Sequence, residues 1–207
     1  MLQIRKTTID DITEVMQIYA DGRAIMCESG NKKQWTGNYP PQSMIEEDIK
    51  MGLSYVCESI NESNFLAKNE ILAVFFFSTE PDPTYTKIDG AWLNEEKYGV
   101  IHRIARKKAA TPLCGGFDRG AAPPLRDGNC ESNFLANKKN AKGVGAFCLN
   151  WCFEQIKNIR IDTHEANIPM RKLLQNLGFS YCGTIWLENG EERMAFHGQR
   201  DCVLSPQ

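Results

Sequence analysis

Residues 143–157 (GVGAFCLNWCFEQIK) constrain the fold more than any other stretch, being long enough for a helix and apolar on nearly every side. A helix without a polar stripe has to be buried. Around it lie short segments that alternate apolar and polar side chains, the pattern of strands with one covered face. Residues 2–6 form the first. A helix follows, capped by Thr8 or Asp10, with Ile12, Val15, Met16 and Tyr19 on its apolar stripe. Residues 27–41 (CESGNKKQWTGNYPP) are turn-forming, and a second helix runs from Ser43 to a stop at Gly52.

Strands are expected at 53–58 (LSYVCE), at 71–78 (ILAVFFFS) and, past a Pro/Asp loop at 80–87, at 100–105 (VIHRIA). After the buried helix come a strand at 159–162 and a helix at 168–177, with Asn167 as its N-cap and Gly178 as its stop. A closing hairpin pairs 179–187 with 193–197 and turns at Glu188-Asn189-Gly190-Glu191. The order β-α-α-β-β-β-α-β-α-β-β predicts an α/β (α+β) fold, one mixed sheet with helices on both faces, in a single domain over 1–207. Residues 106–139 interrupt the pattern as an irregular insertion with no apolar period. ESNFLA stands at 62–67 and again at 131–136, with no longer period to make a repeat protein.

Composition excludes several functions. Lys and Arg number 24 against 26 Asp and Glu, a net charge of −2, which argues against a nucleic-acid partner. The densest apolar run, 71–77, falls far short of the roughly 20 residues that cross a bilayer. The start MLQIRKTTIDD has no signal-peptide core, so a cytoplasmic protein without membrane or nucleic-acid partners is expected. Its eight cysteines then read as reduced core thiols; none stands in a CxxC pair, and no metal site is expected.

The chemistry concentrates at Asn140-Ala141-Lys142-Gly143-Val144-Gly145-Ala146, read as a loop opening into the buried helix. Glycines two apart let amides converge, and a helix N-terminus adds unpaired N–H donors and partial positive charge. Such a cradle suits a phosphate or diphosphate. No GxxxxGK[ST] is present, and the third glycine of a dinucleotide fingerprint would fall on Cys148.

This strand–loop–helix and the later run Ile161-Asp162-Thr163-His164-Glu165-Ala166-Asn167, with Leu177-Gly178-Phe179 closing its helix, resemble the two ordered signatures of the GCN5-related N-acetyltransferase (GNAT) superfamily. The resemblance covers most residues outside the insertion. It implies a mixed, mostly antiparallel sheet splayed after the fourth strand, with acetyl-CoA in the cleft as co-substrate. By the same resemblance the backbone of Ile104 and Ala105 pairs with the pantetheine arm. The amides of Lys142, Gly143, Val144, Gly145 and Ala146 hold the diphosphate, with Asn140 bracing the loop. Asn167 meets the pantetheine or simply caps its helix, and Arg171 or Lys172 meets the adenosine phosphate. Two positions depart from the family: Asn140 is shorter than the usual Gln or Arg, and the usual tyrosine acid falls on Leu174.

Acetyl transfer to an amine needs a base that titrates near neutrality. His102 on the cofactor-facing strand comes first, sharing a strand face with Ile104 and Arg106; His164 and Glu165 come second, and Tyr181 is a substitute acid. Trp35, Tyr39 and Trp186 are candidates to line an acceptor pocket, and Glu28, Glu80 or Asp89 to attract an ammonium. The expected reaction is direct acetyl transfer to a small-molecule amine or a peptide N-terminus. The alternative is a non-catalytic CoA-binding or interaction module on the same fold, and the assembly stays open between a monomer and a homodimer.

Overall fold

The alternating segments pair into one sheet in a computed structural model that describes residues 1–60, 69–108 and 130–200, with the backbone for 130–142. In chain order the elements are β1 (Leu2–Lys6), α1 (Ile12–Glu28), α2 (Gln42–Lys50), β2 (Ser54–Ser59), β3 (Glu70–Ser78), β4 (Asp89–Gly90), β5 (Tyr98–Arg106), α3 (Cys130–Gln155), β6 (Asn158–Thr163), α4 (Ile168–Asn176), β7 (Ser180–Trp186) and β8 (Glu192–Gln199). The sheet runs β1-β2-β3-β5-β6-β8-β7-β4, and its only parallel pair among the described residues is β5 with β6. The two-residue β4 escaped the sequence reading. It fits because Gly90 and Gly183 approach so closely that a Cβ on Gly90 would stand 2.1 Å from the Cys182 carbonyl oxygen.

The helices divide between the faces. Val144, Cys148 and Leu149 of α3 and Leu174 of α4 pack, fully buried, against Phe75 and Ile101 on one side. On the other, Val15, Ile18 and Tyr19 of α1 and Ile45 of α2 meet Val74 and Ala105. A helix that is apolar on nearly every side can thus be covered by the sheet and by α4 together, as its composition requires.

Two irregularities shape the centre of the sheet. Against β3, Val74 pairs with Ala105 but Phe76 with His102, so β5 carries one extra residue. This is a β-bulge at Arg103 and Ile104, which shifts which side chains share a face. His102 and Ala105 therefore lie toward α1, whereas Ile101 and Ile104 pack on the α3 side. The expected shared face of His102 and Ile104 is corrected: strand alternation fails across the bulge. Arg103 sits there at φ +51°, the one non-glycine residue with positive φ among those described. Its guanidinium reaches Asp48 of α2 at 2.6 Å and lies 4.8 Å over the Phe76 ring. That well-covered pair ties α2 to the bulge.

The second irregularity is a parting. β5 and β6 pair only at Tyr98↔Asn158, Gly99↔Ile159 and Val100↔Arg160. β5 then stays with β3 as far as Arg106, and β6 stays with β8 as far as Thr163. Between them the facing edges, 101–106 and 161–163, have no strand partner.

α3 begins at Cys130, not at Gly143, so part of the expected irregular insertion and the whole expected loop at 140–146 are helical. No Gly or Pro stands between 129 and 142, and that run contains Glu, Leu, Ala and Lys, which favour helix. The first ESNFLA and residues 109–129 of the insertion lie outside the described residues. Open space surrounds the position of a Cβ on Gly143. Gly143→Ala is therefore expected to raise stability in urea unfolding by about 1 kcal/mol, the helix-interior preference of Ala over Gly; a loss would place Gly143 outside a helix. Asp48→Asn strands the Arg103 charge and is expected to cost about 3 kcal/mol by the same measurement. A change under about 0.5 kcal/mol would mean that the pair does not hold the bulge.

Candidate active site

The parting strands open a cleft of about 320 Å³. Its floor differs from side to side because alternate residues of each strand point to opposite faces. Toward α3 and α4 it is lined by Ile101, Ile104, Ile161 and Met170, with Thr163 and Asn167. Toward α1 it is polar: His102, Asp82, Thr84, Asp162 and Arg193, walled by Trp35. One half suits an apolar or amide-bearing chain, the other a charged group.

His102 organises the polar half. Its Nε2 lies 2.6 Å from Asp82 Oδ2, and its Nδ1 lies 3.9 Å from Asp162 Oδ1. Burial would raise the Asp82 carboxyl, but hydrogen bonds from His102 and from the Thr84 hydroxyl and amide outweigh it and hold that carboxyl at about 2. Asp82 is therefore ionised at neutral pH and can only accept, so Nε2 donates to it and Nδ1 faces Asp162. Asp162 accepts from the Tyr85 hydroxyl at 2.8 Å and has Arg193 Nε at 3.9 Å. Burial and then Asp162 push the Tyr85 phenol well above its ordinary value, so it stays a donor.

The remaining candidates distribute unevenly. Ile104 lines the cleft, whereas Ala105 is buried toward α1 against Gly22. Asn167 is the N-cap of α4, its Oδ1 accepting from the Met170 amide at 3.2 Å while its Nδ2 donates to Gln34 Oε1 at 3.0 Å. Arg171 donates to the Glu165 carbonyl at 2.9 Å. His164 and Tyr181 do not line the cleft beside His102 but an adjoining depression, which shares Lys33, Glu191 and Arg193 with it. His164 Nδ1 there accepts the Ala166 amide, and Tyr181 is 54% exposed and packs edge-on against Phe196. Leu174 is fully buried, as a core position and not an acid. With α3 continuous from Cys130, the N–H groups of Gly143, Val144, Gly145 and Ala146 bond to carbonyls four residues earlier, so the expected cradle is corrected to helix interior. Lys142 and Asn140 belong to the same helical backbone.

Of the acceptor candidates, Trp35 and Tyr39 line the cleft, while Trp186 is exposed on β7 and Glu28 pairs with Lys108. Glu80 and Asp89 are exposed and do not line the cleft. Sequence reading missed Asp82, Tyr85 and Arg193. Asp162 stood inside a quoted motif, but nothing in that motif signals its partner Tyr85, 77 residues away. Among the described residues no group of His, Cys, Asp and Glu has the makings of a metal site, and no helix is long and apolar enough to cross a membrane.

No protein-family model matches the chain, and no curated protein matches it. Solved structures do. The chain is similar to a GNAT-family acetyltransferase from Streptococcus agalactiae at 24% identity and a TM-score of 0.71, over 97% of this chain and 96% of that one. It is also similar to one from Bacillus cereus, at 15% identity and a TM-score of 0.52, over 98% and 99% of the two chains. A third, from Listeria monocytogenes, gives 18% identity and a TM-score of 0.53 over 96% and 95%. With its mixed sheet and a parallel pair parting at the centre, this chain has the fold of the GNAT acetyltransferases.

Proposed function

We propose that the chain is an N-acetyltransferase that moves an acetyl group from acetyl-CoA to a primary amine by direct transfer in a ternary complex. The observation that carries the reading is the cleft between β5 and β6, with unpaired strand edges on its walls and the Asp82–His102 pair on one face. The acceptor class is a small-molecule amine or a peptide N-terminus.

The residues present fit the pantetheine arm. The edges of 101–106 and 161–163 that face each other lack strand partners, so an extended, amide-bearing arm can take the place of a missing strand. Ile101, Ile104, Ile161 and Met170 cover its apolar carbons. The diphosphate finds no loop cradle at residues 142–146, whose amides are spent within α3, and no other described group is assigned that role. Acetyl-CoA, when bound, supplies the acyl group as an activated thioester.

The chain's own residues do the rest. The cleft holds the amine and the thioester together, which removes much of the entropic barrier to their reaction. His102 Nδ1 takes the proton of the incoming ammonium, and Asp82 at Nε2 stabilises the imidazolium that results. Unpaired N–H groups on the strand edges steady the carbonyl oxygen as charge gathers there. A CoA thiolate is a good leaving group, so the reaction proceeds without the tyrosine that Leu174 replaces.

The competing reading, a CoA-binding module without activity, draws on Leu174 and on the helical course of residues 142–146. One experiment separates the two. Turnover of acetyl-CoA against a panel of primary amines is expected for the wild-type chain and is expected to fall about 10²–10⁴-fold in His102→Gln, with CoA affinity by calorimetry unchanged. Equal turnover in the two proteins would remove His102 as the base; CoA binding with no turnover on any amine would leave the binding module.

A further inference from the structure

Thr163 is the last residue of β6, beyond the point where that strand leaves β5. Its main chain pairs with Met194 of β8, it lines the cleft, and it is 1% exposed. Its Oγ1 is buried without a hydrogen-bond partner, one of three such side-chain atoms among the described residues. The other two belong to guanidinium groups, Arg103 and Arg160, whose Nη2 atoms are bonded, to Asp48 and to the Asn94 carbonyl. Thr163 has no second polar side-chain atom to compensate.

A hydroxyl in that condition is costly, and valine, its isostere, would fill the same space without the penalty. Alternation along β6 puts Thr163 on the side of Ile159 and Ile161, toward α3 and α4 and opposite Asp162 and His102. That is the half of the cleft whose other walls are apolar, apart from Asn167, whose carboxamide is engaged with Met170 and Gln34. A chain lying there with amides of its own would present carbonyl oxygens to a donor that has nothing else to bind.

We infer that Thr163 Oγ1 is a binding residue for the acyl donor, donating its hydrogen bond to an amide carbonyl of the pantetheine arm. The inference rests on the acetyl-CoA reading above and adds a side-chain contact to an arm otherwise held by main chain and apolar surface. It places the contact on the face away from the base, so the residue governs affinity for the donor and not proton transfer.

Calorimetry with CoA and with acetyl-CoA, paired with thermal unfolding of the ligand-free chain, tests it in the wild type, Thr163→Val and Thr163→Ser. Thr163→Val is expected to bind both ligands roughly three- to tenfold more weakly while melting no lower than the wild type, since one orphaned polar atom has gone. Thr163→Ser keeps the hydroxyl and is expected to keep wild-type affinity. Three results overturn the inference: equal affinity in Thr163→Val, weaker binding accompanied by a lower melting temperature, or weakening for acetyl-CoA alone, which would move the contact to the thioester. A wild-type chain that binds no CoA would instead overturn the acetyltransferase reading itself, and the contact with it.

Discussion

The parting of β5 from β6 after three paired residues is the constraint on which the site depends. A parallel pair in the middle of a sheet would ordinarily continue its ladder, because main-chain groups left unpaired and buried are costly. Here β5 stays in register with β3 only by adding a residue at Arg103 and Ile104, and β6 follows β8 instead. The bulge is fixed from outside the sheet: Asp48 of α2 holds Arg103 in its left-handed conformation, and the Phe76 ring lies under the guanidinium. A strained residue at the edge of a cleft is a common companion of function, and here it has an identifiable anchor.

The bulge also sorts chemistry by face. Without it, His102 and Ile104 would point the same way, and the imidazole would share its surroundings with apolar side chains of the α3 layer. With it, His102 turns toward Asp82, Tyr85 and Asp162, while Ile104 keeps to the other side. The same geometry thus gives the cleft an apolar half and a charged half. A second histidine shows the contrast. His197 is fully buried and has its Nδ1 bonded by the Leu93 amide, and burial, followed by the nearby Arg160, pulls its pKa down to about 4. It is a neutral core group, whereas His102 lies between carboxylates in an open cleft.

Much of the architecture was legible because it rests on local pattern. Alternation located the principal strands, and Asn167 with Gly178 marked both ends of α4, where the Asn167 side chain indeed caps the Met170 amide. What could not be read was non-local or ran against residue type. Nothing in VIHRIA signals a bulge, since the residue in the left-handed conformation is an arginine and not a glycine. Asp82 lay in a loop whose composition announced only a turn, and its pairing with His102 spans 20 residues. The glycines at 143 and 145 read as a loop because glycine so often ends a helix, yet a preceding run free of Gly and Pro carries α3 straight through them. The motif order pointed to the fold, while the loop itself took another form.

Hydrogen–deuterium exchange with and without CoA addresses the splayed pair most directly. If an arm lies between the strands, amides in 101–106 and 161–163 gain protection on adding CoA, while those joining β1 to β2 exchange as before. Unchanged exchange along both facing edges at saturating CoA would contradict the account, whatever protection arose elsewhere in the chain.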